Sequence, residues 1–257
     1  MTKPTDYERI AADYDANADR LQIPVDTVLE SVLAQGGRRM LDLACGTGNY
    51  SRVQQTALGQ MAVQWHGLDA SPAMLGVAAG KVQSHLVNGR SETLPYASET
   101  FAYIACNFAF HHFPDKTGAL KEISRVLIPG GRLRLQNLCP EKMTDWWVYR
   151  YFPETIALDE PRFWSLAQIE TGLGACGLTV EMQVEMTETA VSLEKLLADA
   201  RRRDISQLAL LAEPAYLAGL ARLDAAYQAD PQTTVIDYFA MLWCYADKRG
   251  DDAGSGG

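Results

Sequence analysis

From residue 38 to residue 138, short apolar runs alternate with amphipathic helical stretches, and that alternation leaves few folds open. MLDLA (40–44), VQWHGLD (63–69), HLVNG (85–89), FAYIACN (101–107) and RLRLQNL (132–138) have the length and composition of strands. SPAMLGVAAGKV (71–82) and KTGALKEISRVL (116–127) carry helical spacing. Strands that take turns with helices form βαβ units, which build a mainly parallel sheet with helices on both faces. Their crossovers are right-handed, so the expected fold is α/β: a three-layer, Rossmann-like doubly wound sheet with a helical cap. Upstream, residues 6–18 and 24–35 read as two helices, with Pro24 in the first turn of the second and Gly36-Gly37 stopping it. Downstream, 165–177 reads as a helix and 178–186 as an alternating strand. Residues 192–228 read as helical, with Pro214 opening a new helix, and 234–248 as a last strand. The Gly-rich polar tail, 249–257, is expected to be disordered.

Composition narrows the function classes. The 257 residues carry 32 acidic against 23 basic side chains, a net charge of −9. A field of that sign repels phosphate backbones, so no nucleic-acid partner is expected. The one dense basic run, Arg201 to Arg203, sits between Asp199 and Asp204 and reads as a solvated helix face. No window approaches the ~18 uninterrupted apolar residues of a membrane span. The polar start MTKPTDYERIAADYD lacks the apolar stretch of a secretory signal. Cys45, Cys106, Cys139, Cys176 and Cys244 show no CxxC spacing, so neither a disulfide framework nor a metal site is expected. Reduced thiols fit a cytoplasmic location.

The segment LDLACGTGNYS (41–51) joins a strand to a helix through a turn that carries Gly46 and Gly48. Glycines there allow a sharp turn and close approach of a ligand, and the following helix N-terminus favours an anionic group. Asp69 ends the next strand, 21 residues after Gly48, where a carboxylate can accept two ribose hydroxyls. A nicotinamide dinucleotide site expects GxGxxG. Here the order is Gly46-x-Gly48-x-x-Ser51, and the missing third glycine weighs against a dehydrogenase. Cys45 lies near the helix N-terminus, a place that can lower a thiol pKa.

LDLACGTGNYS also resembles motif I of class I S-adenosylmethionine (SAM)-dependent methyltransferases. GLDASPAML (67–75) resembles the segment that follows it. NGRSETLPYASETFAYIACNFAFHHFPD (88–115) resembles the stretch from the adenine loop through strand four. EISRVLIPGGRLRLQN (122–137) resembles the approach to strand five. With four ordered matches over roughly residues 38–138, the chain resembles the type 11, UbiE-like small-molecule methyltransferases.

The resemblance implies strand order 3-2-1-4-5-7-6, with the last strand antiparallel and 234–248 as the seventh strand. It implies SAM as cofactor and S-adenosylhomocysteine as product. By position, Asp42 would organise the loop, and Ala44, Cys45, Gly46 and Gly48 would line the methionine part. Asp69 would hold the ribose, Ala70 and Met74 would lie near the adenine, and Ser91 would offer its backbone N–H to that ring. Asn107 would end strand four close to the methyl. Tyr7 and Tyr14 match an N-terminal pattern that folds over the SAM carboxylate. Arg90 stands where the family usually has an acidic residue that accepts from the adenine amino group. An arginine has no acceptor, so it would stack on the ring or leave that bond to another group. The implied organisation is a helical lid (1–36), a SAM-binding core (37–139) and an aromatic cap segment with helix and strand six (140–187). A helical cap insert (188–233), the final core strand (234–248) and the tail (249–257) follow.

Methyl transfer from a sulfonium is an in-line displacement that needs alignment and exclusion of water, and no metal. A base helps when the acceptor is a hydroxyl or a protonated amine. His111 and His112 are candidates for that base, and a role in shaping the substrate is the other reading. His66 and His85 read as packing residues on strands. Trp146, Trp147, Tyr149, Tyr151 and Phe163 crowd the segment after strand five, and read as an acceptor pocket or as a local core. The expected function is methyl transfer to a small apolar or aromatic molecule, with oxygen as acceptor atom. A SAM-binding enzyme with non-methylating chemistry and a non-catalytic SAM- or partner-binding protein are the alternatives. The acceptor's identity and the oligomeric state have no signature in the chain.

Overall fold

The computed structural model describes residues 7–16, 21, 23–59, 62–203 and 205–250. In chain order its elements begin α1 (Tyr7–Ile10), α2 (Thr27–Ala34), β1 (Arg39–Leu43), α3 (Asn49–Leu58), β2 (Gln64–Asp69), α4 (Pro72–Ala79) and β3 (His85–Asn88). Next come β4 (Phe101–Asn107), α5 (Lys116–Val126), β5 (Leu127–Leu138), α6 (Trp147–Tyr151), α7 (Glu154–Asp159) and α8 (Leu166–Ala175). The last are β6 (Leu178–Ser192), α9 (Leu193–Arg202), α10 (Ser206–Leu210), α11 (Glu213–Ala229) and β7 (Thr234–Lys248). The strands form one sheet in the order β3-β2-β1-β4-β5-β7-β6, as the resemblance implied. β1 pairs in parallel with β2 and β4, β2 with β3, and β4 with β5. Arg132 of β5 binds Asp247 of β7, whereas Cys139, just past β5, donates its N–H to Ala240. The numbers run in opposite directions, so β7 is antiparallel to β5. No described helix is long and apolar enough to cross a membrane.

The chain divides into two compact units. One holds the described residues of Asp6–Asn137, Ala167–Gln183 and Trp243–Gly257, and the other those of Leu138–Leu166 and Val184–Leu242. In the first, Leu29 and Leu33 of α2, Met40 of β1, Tyr50 of α3, Trp65 of β2 and Tyr103 of β4 form one hydrophobic core. Each leucine so buried contributes roughly 1.5–3 kcal/mol. Within this core lies a polar cluster. Asp26 Oδ2 accepts the hydroxyls of Tyr50 (2.6 Å) and Tyr103 (2.7 Å) and faces Arg134 Nε at 3.6 Å. The Arg134 guanidinium lies 4.9 Å from the centre of the Trp243 ring, and it donates to Asn107 Oδ1 (2.8 Å) and Gln136 Oε1 (3.0 Å). Burial pulls the Arg134 pKa down, but the Asp26 charge, aided by Tyr50 and Tyr103, leaves it raised overall.

Asp26 also sets the start of α2, because its Oδ1 accepts the N–H groups of Val28 and Leu29. Pro24, expected in the first turn, therefore lies before the helix. The helix expected over 6–18 is instead α1 followed by a 3-10 stretch, Ala11–Ala16, and residues 17–20 lie outside the described residues. Asp15 in that stretch is drawn into side-chain contacts described below, and these override the local helical pattern. β5 begins at Leu127 and β6 runs on to Ser192, both longer than their apolar patterns suggest. The tail expected to be disordered falls, from residue 251 on, outside the described residues.

In the second unit the aromatic residues bury against one another. Trp146 meets Tyr149 edge-on at 5.2 Å and Phe239 at 6.3 Å, and Phe152 stacks on Tyr216 at 6.2 Å. Asp159 gathers Tyr149 Oη (2.8 Å), Gln207 Nε2 (3.0 Å) and Arg162 (3.0 Å). Arg150 pairs with Asp145, and Glu154 with Arg222. Arg201 and Arg202 pair with Asp224 and Asp199 on an exposed face, whereas Arg203 is half-buried: it pairs with Glu213, donates to the carbonyls of Leu208 and Leu211, and lies 4.0 Å from the centre of the Tyr216 ring. Gly219 of α11 lies directly on the Phe152 ring, where an added Cβ would come within 2.0 Å of it. Gly219→Ala is therefore expected to cost about 1–3 kcal/mol of unfolding free energy in a urea titration, despite alanine's better helix propensity. A variant as stable as the parent would contradict that close approach.

Candidate cofactor site

β1 ends at Leu43, and the chain turns through Ala44 (φ 58°), Cys45, Gly46 (φ 54°) and Gly48 (φ 78°) into α3. Two bonds hold this turn to β2. Cys45 N donates to Leu68 O (3.0 Å), and Gly46 N donates to Asp69 Oδ2 (2.8 Å). Asp69 Oδ1 accepts from Ser71 N (2.8 Å), and Asn88 Nδ2 donates to the carbonyls of Asp69 and Ala70. One carboxylate thus braces the turns after both β1 and β2. Burial raises the Asp69 pKa, against the N–H groups of Ser71 and Gly46 that favour its charged form. Each oxygen keeps a lone pair for a further donor, as two vicinal hydroxyls would supply.

The two glycines of the turn differ. Among the described residues a Cβ on Gly46 would meet nothing within 4 Å, so there is open space over the backbone beside Asp69. A Cβ on Gly48 would lie 3.0 Å from Val82 and 3.2 Å from Ala78, so this glycine lets α3 start hard against α4. Asp42 is buried, and burial pushes its pKa up to about 7 although Ser51 Oγ donates to it at 2.7 Å. Ser51 stands at the missing third-glycine position, and its side chain serves this bond. The Cys45 thiol is pushed up by burial, not lowered by the helix N-terminus, and it lies over Gly67, whose added Cβ would come 3.1 Å from the sulfur.

The N-terminal segment is tied to this turn. Asp15 accepts from Thr47 Oγ1 (2.8 Å), Asn49 Nδ2 (2.7 Å) and Lys81 Nζ. Tyr7 Oη is bonded to His112 Nε2 (2.7 Å), and the Tyr14 ring meets Tyr7 at 6.3 Å. Burial raises the Asp15 pKa, but Lys81, Asn49 and Thr47 outweigh it and the net shift is downward from 3.8. A depressed carboxylate pKa stabilises the bound segment above the ordinary value and is lost as pH falls through the folded one. Hydrogen exchange of residues 7–16, corrected for its intrinsic pH dependence, should show protection at pH 5 that fades below about pH 4. Asp15→Asn should lack that protection at both pH values, and unchanged protection in this variant would contradict the latch.

At the end of β4, Asn107 Oδ1 is taken by Arg134, while its buried Nδ2 has no partner among the described residues. His111 Nδ1 is bonded to Asn137 Oδ1 (2.9 Å), and the His111 and His112 rings lie 3.9 Å apart. Ser91 is buried and Ala70 exposed. Arg90 is exposed and its backbone forms a bridge with Thr93. Met74 is fully buried in α4. His66 and His85 face each other at 5.0 Å on β2 and β3, His66 half-buried and His85 exposed. Trp146, Trp147, Tyr149 and Phe163 are buried and Tyr151 half-buried, all in the second unit. Among the described residues no three His, Cys, Asp or Glu side chains gather as a metal-ligand group.

The first unit therefore brings Gly46, Asp69, Asp42 and the segment with Tyr7 and Tyr14 to the C-terminal ends of β1 and β2. Asp15, Thr47, Asn49, Lys81 and Asn88 had escaped sequence reasoning.

Residues 41–135 match the model of a methyltransferase domain. The demethylmenaquinone methyltransferase of Bacillus licheniformis is 33% identical over 112 residues, which are 42% of this chain and 48% of that protein. The chain thus spans about half the length of this relative. The YcgJ protein of Bacillus subtilis has a similar fold, with a TM-score of 0.60 at 20% identity over 85% of this chain and 96% of that one. So has phosphoethanolamine N-methyltransferase 2 of Haemonchus contortus, solved with S-adenosylhomocysteine, with a TM-score of 0.53 at 21% identity over 93% of this chain and 52% of that one.

Proposed function

We propose, from the match of residues 41–135 to the model of a methyltransferase domain, that this chain moves the methyl group of SAM to a small hydroxylated, ring-bearing acceptor, with oxygen as acceptor atom. The observation that carries this reading is the open space over Gly46 beside the Asp69 carboxylate, a cradle that any side chain at Gly46 would fill. When bound, SAM supplies a methyl carbon on a sulfonium, which an acceptor takes by in-line displacement. The chain's own groups bind, orient and shield. Asp69 accepts the two ribose hydroxyls with the lone pairs left after Gly46 and Ser71. The start of α3 favours the anionic end of the ligand. Ala70 and Ser91 frame the adenine, and Arg90 leaves the adenine amino group to a backbone carbonyl. Asn107 Nδ2 finds its missing acceptor in the bound ligand. The segment with Tyr7, Tyr14 and Asp15 serves as the lid that excludes water.

The acceptor's proton goes to a histidine. His111, held by Asn137 through Nδ1–H, and His112, held by Tyr7, are the two that follow β4. A ring acceptor agrees with the demethylmenaquinone named for the Bacillus licheniformis relative. Anaerobic incubation with methyl-labelled SAM and a panel of phenols and dihydroxynaphthalenes tests the reading. Labelled product and S-adenosylhomocysteine should appear in equal amounts. Product formed without S-adenosylhomocysteine would instead establish non-methylating chemistry, and no turnover of any ring acceptor would overturn the proposal.

A further inference from the structure

The stretch Phe108, Phe110 and Phe113 contains three phenylalanines with different fates. Phe110 and Phe113 are buried, whereas Phe108 is 43% exposed. Phe108 also holds a left-handed backbone, with φ of 52°. It is the one aromatic residue among the positive-φ non-glycine positions Ala44, Glu99, Phe108 and Arg203. That region disfavours a bulky side chain, and glycine or asparagine would take it with less strain. The backbone there is fixed from both sides. Phe108 N donates to Gln136 O (2.8 Å), continuing the β4–β5 ladder, and the chain then enters the 3-10 turn Phe110–His112. A partly exposed apolar ring is thus kept on a strained backbone. Strain of this kind, when observed, points to function.

Its place points the same way. The strand order 3-2-1-4-5 reverses between β1 and β4, and ligands of doubly wound sheets bind at the C-terminal ends of strands flanking such a reversal. β1 ends in the Gly46 turn, and β4 ends in Asn107 and Phe108. Phe108 follows Asn107, whose Nδ2 has no acceptor among the described residues, and precedes the His111–His112 pair by three residues. A phenyl ring offers no hydrogen bond, so what it recognises best is another flat apolar face.

We propose that Phe108 selects the acceptor: its ring, held out at the switch point by the left-handed backbone, stacks on a planar aromatic ring of the molecule to be methylated. This rests on the methyltransferase reading above and narrows its substrate class to planar aromatic acceptors. Stability and recognition then have opposite preferences at one position. A purely structural role would give them the same preference.

The test uses the full chain with S-adenosylhomocysteine bound and 1,4-dihydroxynaphthalene as an anaerobic fluorescent probe. Phe108→Gly should keep or raise Tm, because glycine relieves the strain. The same variant should bind the probe at least about tenfold more weakly. S-adenosylhomocysteine affinity should stay within about twofold of the parent, and Phe108→Trp should retain probe binding. Equal probe affinity in the parent and Phe108→Gly overturns the proposal, as does a fall matched by losses of Tm and S-adenosylhomocysteine affinity. No probe binding by the parent overturns it too. A parent that binds the probe through Phe108 but transfers no methyl to any ring acceptor would leave the stacking role standing and overturn the methyltransferase reading instead.

Discussion

Replacing Asp69 by alanine is expected to weaken SAM binding by about 100-fold or more, the largest effect of any single side chain in the site. Two consequences combine. The ribose hydroxyls lose a charged acceptor, and hydrogen bonds to charged groups contribute about 1.5–3 kcal/mol each. Gly46 N and Ser71 N also lose their shared partner, so the turns after β1 and β2 are no longer braced against each other. Asp69→Asn separates the two. It keeps an acceptor oxygen for one of the turns but gives up the charge, so its loss should be smaller than that of alanine. The measurement is calorimetric titration of each variant with SAM, alongside thermal unfolding of the free protein. Wild-type affinity in Asp69→Ala would contradict the assigned role of the carboxylate.

Asp26→Ala is expected to lower the unfolding free energy by about 3–5 kcal/mol, most of it from leaving the Arg134 charge buried without its counter-charge. The side chain does more than balance that charge. Its Oδ1 caps α2, and its Oδ2 receives two buried tyrosine hydroxyls. A lost helix cap alone costs about 1 kcal/mol. Urea unfolding checks this, and a companion pair identifies the cause. If the uncompensated charge dominates, adding Arg134→Met to Asp26→Leu should recover most of the stability lost in Asp26→Leu alone. The double variant should still bind SAM less tightly than the parent, since Asn107 has lost the guanidinium that holds its carboxamide. A single variant within about 1 kcal/mol of the parent would contradict the cluster's structural weight.

The βαβ alternation and the Gly-rich turn were legible because both are local. Apolar runs of five to seven residues, bounded by glycines and helix caps and alternating with helical stretches, read as strands. Asp69 was legible because its position at the end of β2 follows from the same pattern. The polar cluster was not, since Asp26, Tyr50, Tyr103 and Arg134 come from four separate elements and meet only when the sheet forms. One signal was present in RLRLQNL: a central strand whose alternate positions are Arg132, Arg134 and Gln136 must pair those groups somewhere. Asp15 was hidden for a similar reason, because its partners Thr47, Asn49 and Lys81 lie far along the chain. The density of aromatics at 146–164 was plain, but density alone does not say what the rings face. The structure shows Trp146, Trp147, Tyr149 and Phe152 buried against their own unit. Phe108 could not be singled out at all, since a positive φ at phenylalanine leaves no mark on the sequence.

Calorimetric titration of the purified chain with SAM, S-adenosylhomocysteine and NAD tests the central claim most directly. Micromolar binding of both adenosyl ligands at one site, with none of NAD, is expected from an open Gly46 cradle and an Asp69 carboxylate whose oxygens each keep a lone pair. Well-folded protein that binds neither adenosyl ligand, or that binds NAD instead, would contradict it.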